Sequence, residues 1–270
     1  MRPSGGSRGR STLIALASTI VFGGVVVLVL SHSPGWPEVR RQFFSGDVFS
    51  ESLDVIPEAF LLNIKIFLIA EAIILVAALV IAIARSLPGP VAFPLRALAV
   101  AYADFFRGVP TILVIYLLGF GAPALEISGV PRDALFWGVV ALVLVYSAYV
   151  SEVYRAGIES VHPSQEAAAR SLGLSHPQTL RHVILPQAVR RVIPPLLNDF
   201  IGLQKDTALV ALLGPVEAFR RSQIEASSSF NYTPYLVTAL LFVLLTIPLA
   251  RLTDWLVTRD RRRQLAAGAR

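Results

Sequence analysis

The 270-residue chain contains no cysteine, one methionine and four histidines, and only 16% of its residues are charged. Without cysteine it can build neither a disulfide framework nor a thiolate metal site or nucleophile, so sulfur redox chemistry is set aside. It has no G-x-x-x-x-G-K-[ST] stretch of the kind that cradles nucleoside phosphates, and is therefore expected not to hydrolyse ATP itself. His32, His162, His176 and His182 are predicted in loops, with no metal-spaced grouping of acidic partners. No catalytic or metal-ligating residue is expected. The excess lies in apolar residues, 54% of the chain, and the mean hydropathy of +0.64 is far above that of an ordinary soluble domain.

A bilayer core takes about 20 largely apolar residues per helix. Six stretches reach that length, near Thr12–Leu30, Ala59–Ala84, Ala97–Phe120, Ala134–Tyr154, Val192–Leu213 and Pro234–Val257. The fold class predicted is all-α, a polytopic membrane helical bundle of about six transmembrane helices. Residues 1–57 would supply a tail, an N-terminal helix and an outer loop, residues 58–257 the transmembrane domain, and residues 258–270 a basic tail. The first stretch is longer than a secretory h-region and lacks a clear A-x-A site, which favours a retained anchor over a cleaved signal. Arginines decide the orientation. With both termini in the cytoplasm, inner segments hold Arg2, Arg8, Arg10, Arg85, Arg96, Arg170, Arg181, Arg190, Arg191, Arg259, Arg261, Arg262, Arg263 and Arg270. Outer loops then hold only Arg40, Arg41, Arg132, Arg220 and Arg221. The net charge of +6 comes mostly from arginine, and its clustered part, "RDRRRQ", directly follows the last stretch, a placement that suits a membrane flank better than a nucleic-acid patch.

Between the fourth and fifth stretches lies "PSQEAAARSLGLSHPQTLRHVILPQ". Pro163 suits a first helical turn, where its missing N–H would be unpaired anyway. Good helix formers follow to Leu172, and Gly173 is placed to end the helix in the left-handed conformation. Ser175 and Gln178 match the S-x-x-Q capping box, predicting a second helix that runs to about Leu185 before Pro186 stops it. Ala167, Ala168 and Ala169 leave one surface smooth, while Leu172, Leu174, Leu180, Val183 and Ile184 supply apolar anchors. A partner's groove accepts that combination. A connector without a partner, or a DNA-binding helix-turn-helix, would share the texture, although flanking membrane spans leave the latter no room for a third helix.

Residues 163–186 resemble the cytoplasmic coupling loop, or EAA loop, of ABC importer permeases, whose pattern is E-A-A, three residues, G, nine residues, I-x-L-P. Counted back from Leu185 and Pro186, Val183 takes the isoleucine position and Gly173 the glycine position. The glutamate position falls on Ala167, with Ala168 and Ala169 after it, and Glu166 stands one residue early. "DFFRGVPTILVIY", "SAYVSEVYRAGIESV" and "NDFIGLQKDTALVALLG" are similar to stretches of the polar amino-acid uptake branch of that family. The resemblance implies a five-helix permease core with an added N-terminal helix in the cell membrane. It also implies cytoplasmic ABC ATPase subunits, an extracytoplasmic solute-binding protein and a second permease subunit, the same or homologous. This chain would bind no cofactor, ATP and Mg being used by the partner ATPase.

Ionisable groups inside a span cost about 2.5–3.5 kcal/mol on insertion scales and need a partner or a polar cavity. Arg107, Glu152, Asn198, Lys205 and Asp206 are the candidates for a solute path, the cations facing a carboxylate and the acids an ammonium group. Arg107 stands beside Gly108 and Pro110, where a helix break is expected. Mutual pairing, Asp104 with Arg107 or Glu152 with Arg155, is the competing reading. Lys205 and Asp206 are adjacent and point apart, so at least one needs an outside partner. Glu71 and Asn63 share a helix face. An ion-gradient-driven carrier, or a membrane enzyme acting on lipid through buried carboxylates, would be built from the same groups.

Overall fold

The computed structural model describes residues 5–268, and the side chains of residues 11–259. Arg2 and Arg270, and the side chains of Arg8, Arg10, Arg261, Arg262, Arg263 and Gln264 in the two basic tails, lie outside the described residues. No strand occurs among the described residues.

α1 (Gly5–Ser31) precedes a short α2 (Trp36–Phe43) and the longest packed helix, α3 (Gly46–Ser86). Every described side chain of α1 is exposed, so its apolar surface is left for lipid or another protein. On α3, Ile56, Phe60, Asn63, Phe67, Ala70, Ile74, Ala78 and Ala82 are buried at steps of three or four, with Ile66 beside them, which is one helical stripe. Toward its end the stripe narrows to alanine, which lets neighbouring helices approach closely. The opposite face, including Leu61, Leu68, Ile69, Val76 and Leu79, is exposed and equally apolar, as expected of a helix with bundle on one side and lipid on the other.

α4 (Phe93–Gly108) and α5 (Thr111–Ala124) replace the single span predicted at Ala97–Phe120. They meet at 102° across Val109 and Pro110, both extended. The expected break at Gly108–Pro110 is real. Proline disfavours a helical conformation in the residue before it and cannot supply the next N–H. α6 (Ala134–Glu159) is central, packing on α3, α4, α5 and α9. Its first turn is capped by Asp133, whose carboxylate accepts from the backbone N–H of Leu135 and Phe136.

After α6 come α7 (Pro163–Ser171), α8 (His176–Thr179), a π-helical turn at Leu180–Ile184, and α9 (Leu185–Asp206). The last turns of this limb tighten into a 3₁₀ segment, Thr207–Leu213, followed by α10 (Ala218–Ser229) and α11 (Thr233–Gly268). Of the described helices, α1, α3, α6 and α11 are long and apolar enough to cross a membrane, and the bent α4–α5 pair makes a fifth if it counts as one span. The chain is a multi-pass membrane protein. The sixth predicted span, Val192–Leu213, corresponds to α9 and the 3₁₀ segment. Its charges keep α9 below the apolarity of the other four, which suits a helix packed against α3, α6 and α11.

Candidate functional site

The loop after α6 follows its local rules closely. The His162 ring nitrogen Nδ1 accepts from Ser164 N at 3.2 Å, and Pro163 opens α7. Gly173 has φ +85°, the left-handed conformation a side chain resists, and α7 is closed by Gly173 N donating to Arg170 O and Leu174 N to Ala169 O. The capping box is formed, with Ser175 N donating to Gln178 Oε1 at 2.9 Å. Ala169 is buried, whereas Ala167, Ala168, Leu172 and Leu185 are exposed, leaving an apolar surface on the loop. Glu166 reaches across to α8, its Oε1 lying 3.3 Å from His176 Nδ1.

The end of the loop departs from expectation. Pro186 does not stop the second helix but opens α9, and His176 and His182 lie in helical turns, not loops. The π turn is the reason. Leu185 N bonds to Leu180 O, five residues back, and the widened turn passes the proline with no regular α-helical bond required of it. Val183 lies in this turn and is half-buried.

At the same end of the bundle, Glu152 of α6 gathers three arginines. Arg85, at the end of α3, lies 2.6 Å from Glu152 Oε2; Arg155 grips Oε1 and also Glu159; and Arg107, at the end of α4, lies 3.8 Å from Oε2. The expected Glu152–Arg155 pair is therefore present. The Asp104–Arg107 alternative is not, because Arg107 turns toward α6, where Tyr149 Oη also donates to the Arg107 carbonyl at 3.4 Å.

Arg191, Asn198 and Lys205 lie seven residues apart on α9 and are all exposed, so one polar face of this helix is uncovered. Asp206, the last residue of α9, accepts from Tyr146 Oη of α6 at 3.0 Å, the outside partner that the adjacency of Lys205 and Asp206 called for. The structure thus separates the five path candidates: Arg107 with Glu152 at the loop end, Lys205 with Asp206 at the opposite end, and Asn198 between. Glu71 of α3 and Asp199 of α9 are close enough to repel each other, and neither has an ion-pair partner among the described residues.

Sequence reasoning missed a buried polar hub at the end opposite the loop. Glu217 is fully buried just before α10, and its carboxylate accepts from Phe219 N at 3.0 Å and Arg220 N at 2.7 Å. Asn63 Nδ2 donates to Glu217 Oε2 at 2.7 Å and to Thr207 Oγ1 at 3.1 Å, while Asn63 Oδ1 accepts from Ala218 N at 3.0 Å. Burial pushes the Glu217 carboxyl above its ordinary range, and the donors from Phe219, Asn63 and Arg220 oppose that rise. Asn63 was visible in the sequence only as a polar residue in an apolar helix; its partners are 144 to 155 residues away along the chain.

A bent α4–α5 limb and a capped two-helix loop, set on a bundle centred on α6, make this a polytopic helical membrane protein with a structured loop at one end. A family model described as the inner membrane component of binding-protein-dependent transport systems matches residues 90–262, and the chain belongs to that family. It is 36% identical to a probable glutamine ABC transporter permease of Bacillus subtilis, over 62% of this chain and 76% of that one. It is 31% identical to an arginine transport system permease of the same organism, over 74% of this chain and 90% of that one. A crystal structure of an amino acid ABC transporter with histidines superposes with TM-score 0.71 at 30% identity, covering 78% of this chain and 96% of that one. The fold is shared more widely. An inward-facing methionine ABC transporter superposes with TM-score 0.61 at 16% identity, over 77% of this chain and 96% of that one.

Proposed function

We propose that this permease imports a polar amino acid or a related zwitterion, and that residues 163–186 are the surface on which an ATPase subunit acts. The loop geometry carries the proposal: two short helices joined at a left-handed Gly173, with Ala167, Ala168 and Leu172 exposed. Such a surface has no use in lipid and fits a protein groove. Relatives named for glutamine and arginine transport support the solute class. The chain binds no cofactor; ATP and Mg belong to the partner ATPase, and a solute-binding protein delivers from the other side.

The arginine asymmetry supports placing the loop and both termini in the cytoplasm. Closure of the ATPases moves the loop as a body, and the helices pass between inward- and outward-open states. Asn198 and Lys205 line the solute path or a seam with a second permease subunit, since a polar helix face is costly against lipid. Arg107 and Glu152 close the cytoplasmic end. The test is uptake of radiolabelled amino acids into proteoliposomes holding the permease, its ATPase and its binding protein. ATP-dependent uptake that needs all three supports the reading; uptake by this chain alone, driven by an ion gradient, defeats it.

A further inference from the structure

The buried hub joins three parts of the fold that the sequence keeps far apart. Thr207 is the first residue of the 3₁₀ segment, at the point where α9 tightens and directly after Lys205 and Asp206. A change from α to 3₁₀ winding within a continuous limb is a common place for a hinge. Asn63 holds Thr207 from the side of α3, and Thr207 Oγ1 in turn donates to Gln204 O at 2.8 Å. Glu217 holds Asn63 and at the same time caps α10, supplying acceptors for two backbone N–H groups that the helix cannot satisfy itself.

α10 lies at the end of the bundle away from the coupling loop and is fastened to α11, with Thr238 bonded to Ser222 and donating to Ala218 O at 3.3 Å. All three hub side chains are at most 2% exposed, so a displacement of α10 cannot be absorbed by water at the hub. It must be passed to Asn63 and Thr207 or break a buried hydrogen bond.

We infer that Glu217 is a positioning residue: through Asn63 and Thr207 it makes the placement of α10 set the orientation of Lys205 and Asp206. The inference rests on the importer reading, in which the end opposite the loop meets the binding protein. Docking there then reaches the path through this hub.

The test compares basal ATP hydrolysis with hydrolysis stimulated by liganded binding protein, in the complete complex reconstituted in nanodiscs. Glu217→Gln keeps the volume of the side chain but replaces one acceptor oxygen with a donor. It is expected to leave basal hydrolysis within about twofold and to lower the stimulated increment roughly tenfold. The exchange Asn63→Asp with Glu217→Gln restores a donor facing an acceptor between these two residues but leaves Thr207 Oγ1 without its donor, and should recover the increment only to the level of Thr207→Val. Thr207→Val, which removes the Asn63–Thr207 bond together with the bond from Thr207 Oγ1 to Gln204 O but leaves Asn63 and Glu217 paired, should lower the increment about threefold, and it serves as the test if Glu217→Gln does not assemble. Equal loss of basal and stimulated rates, tracking a lower Tm, would reduce the hub to a structural brace and overturn the inference. A fully stimulated Glu217→Gln would do so too. Absence of stimulation in the wild-type complex would sink the importer reading on which the inference stands.

Discussion

At the loop end of the bundle, Arg107, Arg155 and Glu159 reach solvent, and several groups pair within one helix, Glu152 and Glu159 with Arg155 three and four residues away. In the hub at the opposite end the polar groups are buried and pair across the fold, Asn63 with Thr207, Glu217 and Ala218. Both ends hold the helices in register, but water can replace what is lost at the first and not at the second. The loop end can therefore be reshaped by a partner at low cost, whereas the far end resists any change that leaves a donor without an acceptor.

Truncation at the two ends sharpens this contrast most. Glu217→Ala leaves one N–H of Asn63 Nδ2 and two backbone N–H groups without an acceptor, at about 1–3 kcal/mol each if water does not enter. A pronounced fall in the Tm of the detergent-solubilised protein, or failure to accumulate, is expected. Glu152→Ala removes more ion pairs, yet of its arginines only Arg85 is largely buried while Arg107 and Arg155 reach solvent, so a total loss of only about 1–3 kcal/mol is expected. A larger loss for Glu152 than for Glu217 would break the comparison.

A second contrast sets packing against open space. A side chain at Gly157 on α6 would run into Val192 of α9, whereas Gly121 on α5 has nothing within 4 Å. Gly157→Val is expected to cost about 1–3 kcal/mol by overpacking, and Gly121→Ala should leave the Tm unchanged. Similar melting curves for the two variants would mean that α6 and α9 are not in close contact.

The loop at residues 163–186 should respond in function before stability. Gly173→Val forces a β-branched residue to φ +85° at a strain of about 1–3 kcal/mol. The strain is confined to the loop, so the bundle's Tm should hold while ATPase association falls. Glu166→Ala, which removes a solvent-exposed contact to His176, should change stability by less than about 1 kcal/mol. Thermal scans of the variant and of His176→Ala would reveal any larger role.

What was legible in the sequence follows the same division. Pro163, Gly173, Ser175 and Gln178 act through bonds to residues a few positions away, so the loop's caps and its left-handed turn could be read directly. The break at Gly108–Pro110 was local as well. Pro186 was misread because proline ends a helix only when the turn before it is regular, and the π turn at Leu180–Ile184 gives no sequence signal. Spacing offered Asp104 as one possible partner of Arg107, yet Arg107, at the end of α4, lies by Glu152 of α6. Asn63 was noticed as polar, but its partners depend on how α3, α9 and α10 meet, which no spacing rule supplies.

The central claim, that the Gly173 loop is the surface on which an ATPase acts, is tested most directly by co-purification in mild detergent, comparing wild type with Gly173→Val at equal permease yield. Recovery with the wild type of a protein bearing a G-x-x-x-x-G-K-[ST] loop, and its loss from the variant while the permease keeps its Tm, is the expected result. Equal recovery of that protein with both forms, or its absence from both, would contradict the claim.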